Sequence, residues 1–218
     1  MHVPVMIVGA IVTGVSLAIT LVAGHLKSNK MIVFKMVAST GFLAVAVASG
    51  AFGLRYGQIV FAGLVLCWYG DFALAMKGQA WFLSGLVSFL LGHLAFVAAF
   101  LLRGVTATFA LGALVVLLVA AGIVLRWVYP HLPGEMRIPV LAYITVISVM
   151  VMFAVGTQGV TVNPLILAGA VVFYVSDIFV ARDRFVNPGF SNTLIGLPLY
   201  YTGVVLIAFS IAPEIAAL

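Results

Sequence analysis

Two aspartates, Asp71 and Asp177, lie inside long apolar segments whose sequences resemble each other. The first segment reads GLVLCWYGDFALA and the second reads GAVVFYVSDIFVA. When the aspartates are aligned, the identical or similar positions are Gly63 and Gly169, Val65 and Val171, Trp68 and Tyr174, Gly70 and Ser176, and Ala75 and Ala181. A charged side chain at membrane depth is costly, and such residues commonly mark functional sites. We therefore interpret the two aspartates as the halves of one site.

The chemistry that suits these residues is proton transfer. Residues three and four positions back share a helical face with each aspartate. These neighbours are Cys67 and Trp68 for Asp71, and Phe173 and Tyr174 for Asp177. Aromatic walls exclude water and favour a neutral carboxyl group, whereas a nearby cation such as Lys35 favours an ionised one. The pattern predicts one proton donor beside one permanent anion.

Local hydrogen-bond donors favour one assignment of these two roles. Gly70 and the adjacent aromatic residues offer Asp71 few donors, whereas Ser176 and Tyr174 can donate to Asp177 and keep it ionised. The sequence favours Asp71 as the acid and Asp177 as the anion, without fixing the assignment.

The composition places these residues in a membrane. Of 218 residues, 65% are hydrophobic and only 7% are charged, and the mean hydropathy is +1.33. A water-soluble globule of this size cannot bury so much apolar surface. Apolar runs long enough to cross a hydrocarbon core occur at 3–23, 31–52, 58–76, 81–102, 106–128, 138–156, 162–181 and 192–213. The predicted fold is an all-α polytopic membrane protein with eight transmembrane helices, which form a single domain over residues 1–218.

The start of the chain and its cysteine content complete the classification. Only His2 precedes the first apolar run, so the basic start of a secretory signal is missing and we expect the run to be retained as a helix. Cys67 is the single cysteine, which excludes an intramolecular disulfide. The chain has no paired His or Cys spacing, and we therefore predict no metal site.

The basic residues predict how the helices are oriented. The connections after odd-numbered helices carry Lys27, Lys30, Lys77, Arg126, Arg137, Arg182 and Arg184, and those after even-numbered helices carry only Arg55 and Arg103. By the positive-inside rule both termini lie outside, as in a multi-pass protein of a bacterial-type inner membrane. The formal net charge of +5 then indicates attraction to the anionic lipid bilayer, and no nucleic-acid partner is expected.

Lys35, Asp71 and Asp177 fall in one layer of the predicted bundle. Each lies five or six residues from a basic residue at a helix end, namely Lys30, Lys77 or Arg182. At a helical rise of about 1.5 Å per residue, this is roughly 7 to 9 Å below the cytoplasmic edge. Separate exposure of three charges to lipid costs several kcal/mol, so we expect all three to face a common polar cavity open towards the cytoplasmic leaflet.

The similarity of the two aspartate segments also predicts a duplication. Asp71 belongs to the third predicted helix and Asp177 to the seventh, so the halves 1–104 and 105–218 would be parallel four-helix repeats about an axis along the membrane normal. Lys35 is the exception, because no basic residue occurs near its counterpart Leu141.

Several stretches together resemble a known family. They are GLVLCWYGDFAL followed by FLSGLVSFLLGH, the later GAVVFYVSDIFVARDRF, and Lys35 near the start of the second helix. The segment from Ser176-Asp177 to Phe185 is similar to the motif S-D-x-x-L-A-x-x-x-F, and Gly70-Asp71 with Leu74 is similar to G-D-x-x-L. Through these motifs the chain resembles the YhhN family of integral membrane proteins over most of its length, and the family's eight-helix layout is the expected fold.

The resemblance implies a function. Animal members of the YhhN family are lysoplasmalogenases, which hydrolyse the vinyl ether of a lysophospholipid to a fatty aldehyde and a glycerophospho-amine. Asp71 and Asp177 are the implied catalytic residues, since carbon protonation and water capture need an acid and a carboxylate. No metal or organic cofactor is implied. The residues expected to contact substrate are Lys35, His93, Tyr174, Ser176, Trp68, Arg182 and Tyr200, with Lys35, Arg182 or Arg184 as ligands of the phosphate.

Two other functional classes fit the same residues. A proton-coupled transporter would use Asp71, Asp177 and His93 as a relay. A relay should continue to the outer side, however, where only Arg55 and Arg103 remain. A structural membrane subunit would use the charges as a buried ion network that sets helix register.

Overall fold

The computed structural model describes residues 3–28 and 30–212, and its regular elements in these ranges are all helical. The helices are α1 (Val3–His25), α2 (Met31–Ala48), α3 (Arg55–Ala75), α4 (Gln79–Arg103), α5 (Ala107–Val128), α6 (Arg137–Thr157), α7 (Pro164–Ala181) and α8 (Phe190–Phe209). Each of these helices is long and apolar enough to cross a bilayer. The predicted all-α fold with eight spans is confirmed, and the chain is a multi-pass integral membrane protein.

Two helix ends differ from the predicted ones by four residues, and the other ends differ by three or fewer. The second helix was predicted to reach residue 52, but α2 ends at Ala48. Gly50 follows with a φ of +89°, and the amide of Ala51 donates to the carbonyl of Ala46 at 3.1 Å. This arrangement closes the helix because a left-handed glycine redirects the chain after the last turn. The last helix ends at Phe209, while its predicted end at 213 and both chain termini lie outside the described residues.

The helices pair as hairpins around a core of large aromatic and aliphatic side chains. The closest pairs are α1 with α2, α3 with α4, and α7 with α8, whereas α5 packs mainly on α6 at the edge of the bundle. Contacts of α2 with α8 and of α4 with α6 join the two halves of the chain. The fully buried aromatic residues at the centre include Phe42, Phe96, Phe100, Phe173 and Tyr201.

Glycines set the height of the two aspartate helices against their partners. A Cβ at Gly63 would lie 3.2 Å from the carbonyl oxygen of Gly92 on α4, and a Cβ at Gly169 would lie 3.0 Å from that of Gly203 on α8. Small residues of this kind let helix backbones approach closely in a membrane. Each aspartate lies eight residues beyond its helix's glycine, or about 12 Å along the axis. The two aspartates therefore have the same spacing from a close helix contact on α3 and α7.

Candidate active site

One cavity of about 360 Å³ contains the three charged groups that the sequence placed in a single layer. Lys35, Asp71 and Asp177 all line it. Other lining residues come from the last turns of α1, α3, α5 and α7, from the turn after α7, and from the first three turns of α2, α4, α6 and α8. This is the end of the bundle that carries most of the basic connections. Which side of the membrane this end faces stays a prediction.

Asp71 is the more enclosed carboxylate, and donors from three directions surround it. Its Oδ1 lies 3.2 Å from the Nζ of Lys35, which also donates to the Asp71 carbonyl at 3.1 Å. Its Oδ2 accepts hydrogen bonds of 2.7 Å from the hydroxyls of Ser39 and Tyr200. The hydroxyl oxygen of Tyr201 lies 2.9 Å from the hydroxyl oxygen of Ser39, so these two groups share a hydrogen bond. A cation and two neutral donors together stabilise an ionised carboxylate.

Asp177 has fewer partners and more contact with the cavity. Its Oδ2 accepts one hydrogen bond of 2.7 Å from the hydroxyl of Tyr143 on α6. The Nε2 of His93 on α4 lies 3.8 Å from the same oxygen, which is beyond hydrogen-bonding distance. The Asp177 side chain is 15% exposed, compared with 2% for Asp71. Asp177 is therefore the more accessible of the two carboxyl groups to a molecule in the cavity.

The expected local donors of the two aspartates were wrong. Ser176 does not donate to Asp177, because its hydroxyl bonds the carbonyl of Phe173 one turn back on the same helix at 2.7 Å. Tyr174 lines the cavity, but its hydroxyl has no hydrogen-bond partner among the described residues. Asp71, expected to have few donors, has the richer set because its donors come from other helices. These contacts favour the opposite assignment of acid and anion to the one drawn from local sequence, and the assignment stays a prediction.

The predicted substrate-contacting residues divide into two groups. Lys35, Tyr174 and Tyr200 line the cavity. The others lie outside its lining: Ser176 is buried within α7, Trp68 donates from its Nε1 to the hydroxyl of Thr40 at 3.2 Å, His93 is fully buried behind Asp177, and Arg182 donates to Asn192.

A short π-helical turn, Arg182–Val186, follows α7 and forms part of the cavity mouth. Arg182 donates to the Oδ1 of Asn192 at 2.6 Å, and Asn192 donates to the Oδ1 of Asp183 at 3.0 Å. The Gly189 amide also donates to Asp183 at 2.9 Å. These bonds fix the connection between α7 and α8. They leave Arg184 at the mouth, with its guanidinium 4.3 Å from the centre of the Phe82 ring.

Two residues of the site escaped the sequence analysis. Ser39 lies one turn after Lys35 on the same face of α2, so the four-residue spacing was a usable signal. Tyr143 on α6 carried no such signal, because a single tyrosine in an apolar helix is ordinary. Within residues 3–28 and 30–212, no group of three His, Cys, Asp or Glu side chains is arranged to hold a metal ion.

Comparison with known sequences places the chain in one family. The sequence model of the YhhN family matches residues 30–211. A protein named lysoplasmalogenase from Mycobacterium bovis is 33% identical over 165 residues, which cover 73% of this chain and 61% of the relative. Bovine lysoplasmalogenase TMEM86A is 32% identical over 158 residues, covering 69% of this chain and 64% of the relative.

A human relative extends the match. Human lysoplasmalogenase TMEM86B is 31% identical over 170 residues, covering 78% of this chain and 69% of the relative. The chain thus spans 61% to 69% of the length of these relatives. No solved structure matches the chain.

Proposed function

Because the chain belongs to the YhhN family, we propose that it hydrolyses the vinyl ether bond of a lysoplasmalogen and releases a fatty aldehyde and a glycerophospho-amine. Relatives named lysoplasmalogenase from bacteria and mammals support this proposal. The structural observation that carries it is a pair of carboxyl groups, Asp71 and Asp177, that line one cavity with different partners. Such a pair suits acid-catalysed opening of a vinyl ether, because one group can protonate carbon and the other can stabilise the cation.

We assign the proton donor to Asp177 and the permanent anion to Asp71. Lys35, Ser39 and Tyr200 all stabilise negative charge on Asp71. Asp177 has one neutral donor, Tyr143, and faces the cavity. A general acid must reach the reacting atom within hydrogen-bond distance, and Asp177 is the more exposed of the two carboxyl groups.

The reaction then proceeds in balanced steps. Asp177 gives its proton to the vinyl carbon farther from the ether oxygen, and the double-bond electrons form the new C–H bond. The carbon next to oxygen becomes an oxocarbenium ion, which the negative charge of Asp71 stabilises. Water attacks that carbon and returns a proton to Asp177. The resulting hemiacetal transfers its hydroxyl proton to the glycerol oxygen as the C–O bond breaks, giving aldehyde and alcohol.

The mouth of the cavity suits the polar headgroup. Arg184 lines the mouth, and its guanidinium presents several donors in a geometry that matches phosphate oxygens. Lys35, Arg182 and Arg184 were all expected in this role from sequence, and of these Arg182 donates to Asn192 instead. Lys35 at the inner end is paired with Asp71. We therefore assign the phosphate contact to Arg184, with the headgroup towards the basic end of the bundle.

An aldehyde-release assay tests the proposal. Purified protein in detergent should release fatty aldehyde from a lysoplasmenyl lipid without added metal and with a chelator present. Diacyl lipids and intact plasmalogens should be poor substrates, because a second chain has to fit the same cavity of about 360 Å³.

A matched control uses Glu135, a carboxylate on an exposed turn whose Oε1 accepts a hydrogen bond from Gln79. Glu135→Gln should keep full activity, since this residue does not line the cavity. If wild-type protein releases no aldehyde with any vinyl-ether headgroup, the proposed function is wrong.

A further inference from the structure

A second cavity, of about 370 Å³, lies between α5, α6 and α7 and has an apolar lining. We call it the α5–α7 seam and define it by Ala113, Leu117, Ala120, Val151, Val155 and Val171. Tyr174 lines both the seam and the cavity that holds the carboxyl groups. The two spaces therefore lie next to each other, with this residue between them.

The same helix faces line both spaces. On α5, Ala113, Leu117 and Ala120 line the seam, and Val124, four residues further on the same face, lines the carboxylate cavity. The seam thus continues the carboxylate cavity along α5.

The other two helices show the same continuity. On α6, Ile144 and Ile147 line the carboxylate cavity and are followed on one face by Val151 and Val155 in the seam. From Ile147 to Val155 the path covers about 12 Å along the helix axis. On α7 the order is Val171 in the seam, then Tyr174, then Asp177. An apolar path therefore leads from the carboxyl group away from the basic end of the bundle.

We propose that the α5–α7 seam binds the hydrocarbon chain of the substrate, with the vinyl ether at Asp177 and the rest of the alkenyl chain beyond Tyr174. This inference rests on the proposed function and adds the site of the chain to it. A lysolipid has one polar and one apolar end, and the two neighbouring spaces have the matching order. Charged and apolar side chains together line the first, and apart from the Tyr174 hydroxyl only apolar side chains line the second.

The Tyr174 hydroxyl gives independent support for a ligand at the junction. It is buried and has no hydrogen-bond partner among the described residues. A buried hydroxyl without a partner costs free energy. A glycerol or ether oxygen of a bound lysolipid supplies that partner where the polar and apolar parts of the substrate meet.

The packing of α5 provides a route of entry from the bilayer. Its buried residues are Ala110 near one end and Val128 at the other, and its central turns are exposed. Lipid tails are as apolar as the seam, so a chain exchanges between them with little change in hydrophobic free energy. The seam consequently determines where the substrate chain lies and which chain lengths fit, and it contributes little to the binding free energy.

A change in chain-length preference tests the seam. Ala120→Phe places a large side chain in the seam and should lower kcat/KM for a long-chain lysoplasmenyl lipid by about tenfold or more, while a short-chain analogue reacts as with wild type. Val119→Phe is the matched control, because Val119 is the neighbouring residue, is 58% exposed and does not line the seam. Equal loss with both chain lengths, or no loss, overturns the seam proposal while leaving a wild-type enzyme intact.

Photolabelling of wild-type protein gives a test that does not depend on folding of a variant. The probe is a lysolipid with a saturated ether in place of the vinyl ether and a diazirine at the end of its chain. Adducts should map to seam residues such as Val151, Val155 and Val171. Adducts confined to other helix faces, or no adducts, overturn the proposal. Because the probe is not hydrolysed, this result is separate from the presence or absence of aldehyde release.

Discussion

At the scale of single residues, two aspartates in similar sequence contexts are made unequal by their partners. Lys35, Ser39 and Tyr200 surround Asp71, whereas Asp177 receives one hydrogen bond from Tyr143 and faces the cavity. Chemistry by a carboxyl pair requires such a difference, since one group has to donate a proton and the other has to keep its charge.

This difference predicts unequal behaviour of the two aspartate variants. Asp177→Asn should lower turnover by about 10² to 10⁴ with little change in thermal stability, because the amide keeps the size of the side chain but cannot deliver a proton. Asp177→Ala should regain part of its activity when a small carboxylic acid is added, since this site is open to the cavity. Asp71→Ala should not, because its site is enclosed by Lys35 and two hydroxyls.

The rate in D₂O gives a second measurement for the same residue. Turnover by wild-type protein should be slower in D₂O if protonation of carbon limits the rate. Near-normal activity of Asp177→Asn together with the absence of a solvent isotope effect would show that Asp177 is not the acid.

At the scale of elements, the ion pair between Lys35 and Asp71 links α2 to α3. The hydrogen bond from Tyr200 to Asp71 links α8 to α3 at the same carboxyl group. A buried ion pair adds little stability compared with apolar packing, but removal of one partner leaves an uncompensated charge. The connection between α7 and α8 is held separately, by the bonds of Asp183 and Asn192.

The ion pair predicts a specific pattern of stabilities. Lys35→Met should lower the free energy of unfolding by about 3–5 kcal/mol, because Asp71 is left buried without its cation. Adding Asp71→Asn to Lys35→Met should restore part of the loss, since the neutral amide still accepts bonds from Ser39 and Tyr200. Melting temperatures in detergent rank the stabilities of wild type, the single variant and the double variant. Lys30→Met is the control, because Lys30 is exposed. Equal melting temperatures for Lys35→Met and wild type would contradict a stabilising role for this pair.

At the scale of the whole molecule, the two halves contact their aspartates in the same way. Asp71 on α3 is met by α2 of its own half and by α8, the last helix of the other half. Asp177 on α7 is met by α6 of its own half and lies next to His93 on α4, the last helix of the other half. This is the arrangement that parallel repeats would produce, although the duplication of 1–104 and 105–218 itself stays a prediction.

The distribution of basic residues predicts which end of the bundle faces the cytoplasm, and cysteine labelling can test this. Cys67 is the single cysteine, so its replacement by serine gives a background without thiols. Single cysteines at the exposed positions His131 and Pro188 should react with an impermeant thiol reagent from the cytoplasmic side, and those at Gly53 and Thr161 from the outer side. The reverse pattern would place the carboxyl groups in the outer leaflet.

The sequence by itself determined the class of the protein and the layer of its charges. Helix lengths, apolar runs and the asymmetry of basic residues are local properties, and the bilayer requires backbone hydrogen bonds to close within each helix. The eight helices and the common cavity of Lys35, Asp71 and Asp177 could therefore be predicted. The shared depth of the three charges followed from the rise per residue alone.

Only the tertiary structure decided which groups donate hydrogen bonds to each carboxyl group. The donors to Asp71 and Asp177 are not their helical neighbours, because Ser39, Tyr200 and Tyr143 are separated from them by 32, 129 and 34 residues in sequence. Ser176, the nearest hydroxyl to Asp177 in sequence, bonds its own helix instead. A hydroxyl group in an apolar helix donates to an acceptor that helix packing brings within about 3 Å. Which acceptor this is depends on the rotation and crossing angles of the helices. A local sequence pattern does not specify these angles.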